Sequence, residues 1–319
     1  MNEFDVAIIG GGAAGLSAAL VLARARRSVL VLDSGSPRNA PATRMHGFLS
    51  RDGMPPAELL AVGREEVLRY RGTIVHGEAT EIKFHDASVF RIGLSEGRTF
   101  SARRVLVTTG LQDITPDLPG LRERWARDVL HCPYCHGFEV QDRKLAVLGG
   151  SPQAAHYAQI VRQWSDDLTY ITPSEILTAA ERERLVARGI SIAEGTPARI
   201  LVENERLRGV ELDDGRTVSC DALFVPPRFI PNNTLLLDLG CDTDENGWVT
   251  TDDNGLTSIR GVWAAGNVAN PRAQVITAAG EGSAAAIAIN ADLVDEDVRN
   301  AVQESSRDRL PDQPQGRLT

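Results

Sequence analysis

Asp5-Val-Ala-Ile-Ile-Gly10-Gly11-Gly12-Ala13-Ala14-Gly15 decides the fold of this chain. A short apolar run ends in glycines, and an Ala/Leu-rich segment follows at once. A strand with apolar residues on both faces belongs in a parallel sheet that is covered on both sides. The glycine spacing assigns each position a task. Gly10 permits a tight turn, Gly12 lets a pyrophosphate approach the backbone, and Gly15 lets the helix pack closely on the strand. Ala13 and Ala14 fall in the first helical turn, whose free N–H groups and positive dipole end suit a phosphate. Ser28-Val-Leu-Val-Leu-Asp33 supplies the next strand. Asp33, with Ser34 beside it, is placed to accept hydrogen bonds from a ribose. The same region, Val6 to Ala23, carries no charge, but four glycines interrupt it and its length is marginal for a membrane span. A Gly-rich turn between strand and helix explains it better.

The rest of the chain repeats and extends this unit. Ser34 to Pro56 is an irregular connection rich in proline and glycine. Arg38, Asn39 and His46 lie there, either facing a cofactor or solvated on a loop. A helix is expected near Ala57 to Tyr70, then alternating strands from Thr73 to Leu94 that include Ala79. Arg103-Arg-Val-Leu-Val-Thr-Thr-Gly110 reads as a strand whose small-residue end, Thr109 and Gly110, brings backbone close to a ligand. Asp113 to Pro119 reads as the first crossing into another domain. Lys144-Leu-Ala-Val-Leu-Gly-Gly150 opens a second βαβ unit, with its helix over Pro152 to Trp164 and its next strand at Leu168 to Thr172. A helix over Pro173 to Arg188 follows, then strands near Ser191–Ile200, Leu207–Leu212 and Ala222–Pro226. Thr243 to Gly247 reads as the return crossing. Ala-Ala-Gly266-Asn267 resumes the strand-then-glycine pattern, and Gln274-Val275 leads into a helix through Leu293. The polar tail beyond Arg307 is expected to be disordered. The fold class is therefore α/β, with two Rossmann-like, three-layer ββα dinucleotide-binding domains. The second, 115–242, is inserted into the first, 1–114 and 243–319.

Composition narrows the function classes. The 319 residues are 42% hydrophobic and 24% charged, ordinary for a water-soluble globular chain. A formal charge of -9, with no basic stripe, argues against a nucleic-acid partner. Nothing in the chain calls for a membrane partner. Four cysteines are too few for a secreted disulfide scaffold, and the N-terminus opens on Glu3 and Asp5 where a signal peptide would be basic. A cytoplasmic setting is the expectation.

The chemistry centres on His131-Cys132-Pro133-Tyr134-Cys135-His136-Gly137. Two cysteines at this spacing form a redox pair, half a zinc site, or two ordinary buried thiols. A zinc site needs two more ligands, and no second Cys-x-x-Cys or His-x3-His supplies them. No metal is expected. Cys220 and Cys241 lie in apolar surroundings and read as inert thiols. His136 titrates near neutral pH and is a candidate to relay protons between thiol and water, against the plainer reading of a loop-fixing histidine.

The order of motifs resembles the low-molecular-weight thioredoxin reductase family across essentially the whole chain. Cys132-Pro-Tyr-Cys-His-Gly-Phe-Glu139 and Pro37-Arg-Asn-Ala40 resemble one branch of it, the FAD-dependent dithiol oxidases that close disulfides in natural products such as gliotoxin and holomycin. The resemblance implies FAD in the first domain. Gly10, Gly12 and Gly15 would take the pyrophosphate and Asp33 the adenosine ribose. Thr109 and Gly110 would line the cofactor, Gly266 and Asn267 would sit at its ribityl and phosphate side, and Gln274 and Val275 would meet the flavin edge. It also implies that Cys135 faces the flavin, that Cys132 exchanges with substrate, and that the enzyme is a homodimer.

Two departures from the family pattern stand out. Asn267 replaces the usual Asp, and an amide can still bond a hydroxyl. The nicotinamide-binding turn, usually Gly-x-Gly-x-x-Ala, here reads Gly149-Gly150-Ser151-Pro152-Gln153-Ala154. Ser151 adds a side chain where a pyrophosphate must approach, and Pro152 removes an N–H donor. After the strand comes Thr172-Pro173-Ser174, with neither an arginine for a 2′-phosphate nor an acid for a free ribose. Arg182, Arg184 and Arg188 are weak substitutes from a helix. NADPH use is therefore doubtful. The sequence reads as a dithiol oxidase with O2 as acceptor, acting on a small dithiol or a thioredoxin-like protein. The alternatives are a thioredoxin reductase driven by NADPH or by a protein such as ferredoxin, and a non-catalytic flavin or zinc redox sensor.

Overall fold

Successive residues of strand β1 (Glu3–Ile9) enter opposite cores, because side chains alternate across a pleated strand. Val6 and Ile8 pack with Leu16, Ala19 and Leu22 of helix α1 (Ala13–Arg24) and with Ala286 and Ile289 of the C-terminal helix. Ala7 and Ile9 face the other way, toward Ile82, Ile92 and Leu94. Burying one such isoleucine contributes about 2–3 kcal/mol, so four consecutive core positions anchor this strand firmly. The computed structural model describes residues 3–86, 89–151, 153–173 and 176–307.

After α1 come β2 (Val29–Asp33), α2 (Pro56–Arg69), β3 (Thr73–His76), β4 (Ala79–Phe84), β5 (Phe90–Leu94) and β6 (Thr99–Val107). Next are β7 (Leu111–Ile114), α3 (Leu121–Arg124), β8 (Val129–Leu130), α4 (Pro133–His136), β9 (Leu145–Leu148), α5 (Ala154–Val161) and β10 (Leu168–Thr172). They lead to α6 (Ala179–Ala187), β11 (Ser191–Glu194), β12 (Pro197–Glu203), β13 (Arg206–Leu212), β14 (Thr217–Ser219), β15 (Ala222–Phe224) and β16 (Arg228–Pro231). The chain closes with α7 (Thr234–Asp238), β17 (Val262–Ala264) and α8 (Val275–Arg307).

Two compact units result. The first comprises residues up to Ser36, Leu60–Gly110 and those from Pro231 onward. Its sheet runs β3-β2-β1-β6-β5-β4, with β17 also on β6. The strands β3, β2, β1, β6 and β17 pair in parallel, and β4 and β5 extend the sheet antiparallel. The second unit comprises Pro37–Leu59 and Leu111–Ile230. It repeats the plan with the parallel order β11-β10-β9-β15-β8. On one face Leu145 and Val147 pack against Ala154, Ala158 and Val161 of α5. On the other, Ala146 and Leu148 pack against Ile200, Leu207 and Val210 of the antiparallel β12-β13-β14 layer. Each unit is thus a three-layer, Rossmann-like sandwich.

Four elements differ from the sequence expectation. The first crossing strand is β7, which stops before Pro116. The chain returns not at Thr243–Gly247 but at β16, which pairs with β7 as a two-stranded ribbon. Asp244 instead closes a turn there, accepting from the N–H groups of Asn246 and Trp248 at 2.9 Å each. Helix α6 starts at Ala179 because Thr178 and Glu181 form a reciprocal capping box, a signal the sequence carried and the periodicity masked. Helix α8 continues fourteen residues past Leu293, to Arg307. Its extension is tied down by ion pairs from Arg103 to Glu296 and Asp297, from Arg104 to Glu296, and from Arg27 to Asp297. The tail beyond Arg307, Pro152 and Ser174 lie outside the described residues.

Candidate active site

The glycine turn of the first unit is shaped by contacts that leave no room for side chains. Gly10 has φ +111°, and a Cβ there would lie 2.4 Å from the Thr108 carbonyl oxygen. A Cβ at Gly15 would lie 1.9 Å from the Gly10 carbonyl oxygen. Thr108 Oγ1 ties the turn to β6 by donating to the Ile9 and Gly10 carbonyls at 3.0 and 2.9 Å. Gly12 differs, since a Cβ there would meet nothing within 4 Å. The space before the α1 N-terminus is therefore open, no side chain caps that end, and no acid stands in its first turn. These features suit a diphosphate.

The neighbouring positions complete a cradle along the C-terminal ends of the parallel strands. Asp33 accepts from the Gly35 N–H at 3.1 Å and pairs with Arg64 at 3.1 Å. Ser34 beside it is exposed. Gly11 packs against Asp33, with an added Cβ only 2.4 Å from Oδ2, a role the sequence reading missed. Thr109 donates to the Asn232 carbonyl at 2.6 Å, and Asn232 donates back to the Thr109 carbonyl at 2.9 Å, which fixes the turn into Gly110. Gly266 (φ +74°) donates its N–H to Glu281, which also accepts from Asn270. Gly282 lets α8 approach the backbone of Ala14. Glu281 and Gly282 were hidden in a small-residue helix without a recognisable motif. Gln274 and Val275 stand at the start of α8, and Ala79 opens β4. Arg38, Asn39 and His46 lie in the other unit, with the cysteine pair.

Asn267 explains its own departure from the family pattern. Its Nδ2 donates to the Asn270 carbonyl at 2.9 Å and to the Ala273 carbonyl at 3.0 Å. A carboxylate has no hydrogen to give either acceptor.

In the second unit Cys132 and Cys135 are joined by a disulfide, with Cα atoms 5.2 Å apart. Cys132 begins the short helix α4, Pro133 takes its first position, and the Cys135 and His136 N–H groups both reach the Cys132 carbonyl at 3.1 Å. Gly137 is required because a Cβ would lie 2.7 Å from the Trp164 ring. Tyr134 meets the edge of that ring at 5.6 Å. The two flanking histidines differ in environment. His131 stacks on Trp125, its carbonyl accepts from Tyr157 at 2.5 Å, and its Nε2 lies 3.3 Å from the Arg38 guanidinium. Arginine only donates, so Nε2 is unprotonated and the ring is neutral. Burial pushes the His131 pKa down to about 4. His136 is also lowered by burial, opposed by the negative charge of Glu139. Burial pushes Cys220 up to about 12 and raises Cys241. Among the described residues no His, Cys, Asp and Glu groups gather as a metal site.

The second glycine turn begins as the first does and departs from it at the third position. A Cβ at Gly149 would meet the Ile171 carbonyl oxygen at 2.7 Å and the Tyr170 ring at 2.8 Å, while Gly150 (φ +104°) faces free space. Ser151 follows it, and Gln153 caps α5 without a side-chain bond. Thr172 is fully buried at the end of β10, and Arg182 is already paired with Glu194.

The model of the pyridine nucleotide-disulphide oxidoreductases matches residues 4–282. The chain belongs to that family. It is a flavin-dependent oxidoreductase of the thioredoxin reductase type that acts on thiols and disulfides, and the open turn at Gly12 fits the FAD that the family implies. A crystal structure of HlmI is 52% identical, with a TM-score of 0.94 over 96% of this chain and 97% of that one. The thioredoxin reductase sirT of Leptosphaeria maculans is 32% identical over 90% of this chain and 93% of its own length. The thioredoxin reductase of Treponema pallidum is 31% identical over 89% and 95%. No helix among the described residues is long and apolar enough to cross a membrane.

Proposed function

We propose that this member of the family is a dithiol oxidase, closing a disulfide in a small dithiol with O2 as the electron acceptor. The observation that carries the reading is the contrast between the two glycine turns. In the first unit the third motif position is Gly12, facing open space; in the second it is Ser151, and Arg182, a basic residue of α6, is committed to Glu194. The likeness to HlmI supports the same branch.

A substrate thiolate attacks Cys132, and Cys135 departs as a thiolate. The second substrate thiol then displaces Cys132 and completes the product disulfide. His136, next to Cys135, takes the thiol protons. FAD held there would supply the two-electron acceptor for the reduced cysteine pair, with O2 as the terminal acceptor and peroxide as its product. By family likeness this reading includes a homodimer and a cytoplasmic setting. Gly10, Gly12–Gly15, Asp33, Thr109, Gly110, Gly266, Asn267, Gln274 and Val275 are the residues we assign to FAD.

Anaerobic stopped-flow against NADPH, NADH and a dithiol in parallel tests the proposal. Bleaching by the dithiol alone, reversed by air with release of peroxide, is the expected result. Rapid bleaching by NADPH would mean that Ser151 and the Thr172-Pro173 segment do not impair the second site, and that the chain is a thioredoxin reductase like its named relatives.

A further inference from the structure

His46 stands between two carboxylates in the unit that carries the disulfide. Its Nε2 lies 3.3 Å from Glu139 Oε1 and its Nδ1 lies 3.2 Å from Asp52 Oδ2. Glu139 follows His136 by three residues, and the helical backbone of Gly137 carries α4 into the turn Phe138–Val140, which sets the two residues on one face. Glu139 closes the Cys132–Glu139 stretch that marked the oxidase-like branch, and His46 lies on the irregular connection that follows Pro37–Ala40.

We propose that Glu139 and His46 form the proton exit of the redox disulfide, carrying protons from His136 to Asp52 and solvent. The inference rests on dithiol oxidation as the reaction. In the first exchange a substrate thiol loses its proton to His136, its sulfur bonds to Cys132 Sγ, and the Cys132–Cys135 bond breaks. Cys135 leaves with the electron pair. In the second exchange the other substrate thiol loses its proton and bonds to the first substrate sulfur, and Cys132 leaves as the second thiolate. The substrate is oxidised by two electrons, the enzyme disulfide is reduced by two, and two protons are shed. One imidazole holds one proton, so the first must depart before the second can be taken.

His136 is half-buried, and the carboxylates on either side of His46 open to solvent, Glu139 with 44% and Asp52 with 66% of its side chain exposed against 20% for His46. Burial weakens the hold of His136 on a proton, and Glu139 offers a carboxylate to receive it. The other titratable group in range, His131, offers no competing route. Its ring is neutral, its Nε2 is occupied by Arg38, and Asp113 is engaged by the same guanidinium. A contact of 3.3 Å is within reach of direct transfer or of one bridging water.

The test uses the holoenzyme and the variants Glu139→Gln and His46→Gln. Proton release is followed with a pH indicator in weakly buffered solution after anaerobic mixing with dithiothreitol. In parallel, iodoacetamide alkylation of the reduced cysteines is followed against pH. Both variants should keep their flavin content, release protons on the order of 10-fold more slowly, and recover when imidazole buffer is added. Glu139→Gln should also move the alkylation midpoint upward, because a less basic His136 supports the thiolates less. Proton release at the wild-type rate in both variants, or a slowing that no buffer relieves, would overturn the relay while leaving dithiol oxidation intact. If the wild-type protein itself neither bleaches nor releases protons with dithiothreitol, the oxidase reading fails first and the relay with it.

Discussion

Arg38 clasps Asp113 through two hydrogen bonds, Nε to Oδ2 at 2.8 Å and a terminal nitrogen to Oδ1 at 2.6 Å. The same guanidinium lies over the Phe229 ring and 3.3 Å from His131 Nε2. One side chain thereby ties together β7 at Asp113, the return strand at Phe229 and the residue before Cys132. Arg38→Ala should leave the mostly buried Asp113 carboxylate without its partner. Breaking a buried pair costs about 3–5 kcal/mol, and partial exposure of this one reduces the loss to roughly 2 kcal/mol. Denaturant unfolding of variant and wild type measures it, and equal midpoints would show that the clasp contributes nothing.

His131 gives the second prediction. Its pKa is lowered to about 4 in the folded protein, against an ordinary value of 6.5. Between these values the unfolded chain binds the proton and the folded chain does not, so this group's contribution is present above pH 6.5 and is lost as pH falls toward 4. The full difference is roughly 3 kcal/mol. His131→Phe keeps a ring against Trp125 and removes the titration. Denaturation midpoints from pH 7 to 4.5 should therefore fall less steeply for the variant, and parallel curves would refute the buried neutral histidine.

Gly15 and Gly12 separate architecture from binding. A Cβ at Gly15 collides with backbone 1.9 Å away, so Gly15→Ala should destabilise the fold and lose flavin together. A Cβ at Gly12 meets no protein atom, so Gly12→Ala should copurify with far less FAD yet, compared without flavin, melt like the flavin-free wild type. The ratio of flavin to protein absorbance, read beside the melting temperature, decides it. Undiminished flavin in Gly12→Ala would remove this turn from the cofactor site.

The sequence revealed those parts of the molecule whose signals are local. The run from Asp5 to Gly15 carries strand, turn and helix within one short stretch, and the Cys132–Cys135 pair, ambiguous by spacing alone, is read as redox from the nucleotide-binding signatures on either side of it. What stayed hidden depends on residues far apart. Nothing in Glu139 or His46 taken singly points to the other, because their contact forms only once the loop at residues 37–59 packs with the disulfide unit. The length of α8 was missed for the same reason. The sequence reading ended it near Leu293, and its continuation at Glu296 and Asp297 is held by Arg27, Arg103 and Arg104, distant in the chain.

Asn267 provides the last prediction, and it runs against the family pattern. The amide donates to the carbonyls of Asn270 and Ala273, which fold the segment between Gly266 and the start of α8. Restoring the common residue by Asn267→Asp removes both donors and sets a negative charge against two acceptor oxygens. Each buried acceptor left without its donor costs about 1–3 kcal/mol. On the proposed FAD site, a carboxylate here would also stand near the cofactor's phosphates. The variant should therefore bind FAD more weakly, by on the order of 10-fold for each 1.4 kcal/mol that the distorted segment forfeits. Asn267→Ser, which keeps one donor and carries no charge, should fall between the two. Fluorescence titration of deflavinated protein with FAD measures all three, and an Asp variant that binds as tightly as the wild type would show that the amide is not what holds this segment in place.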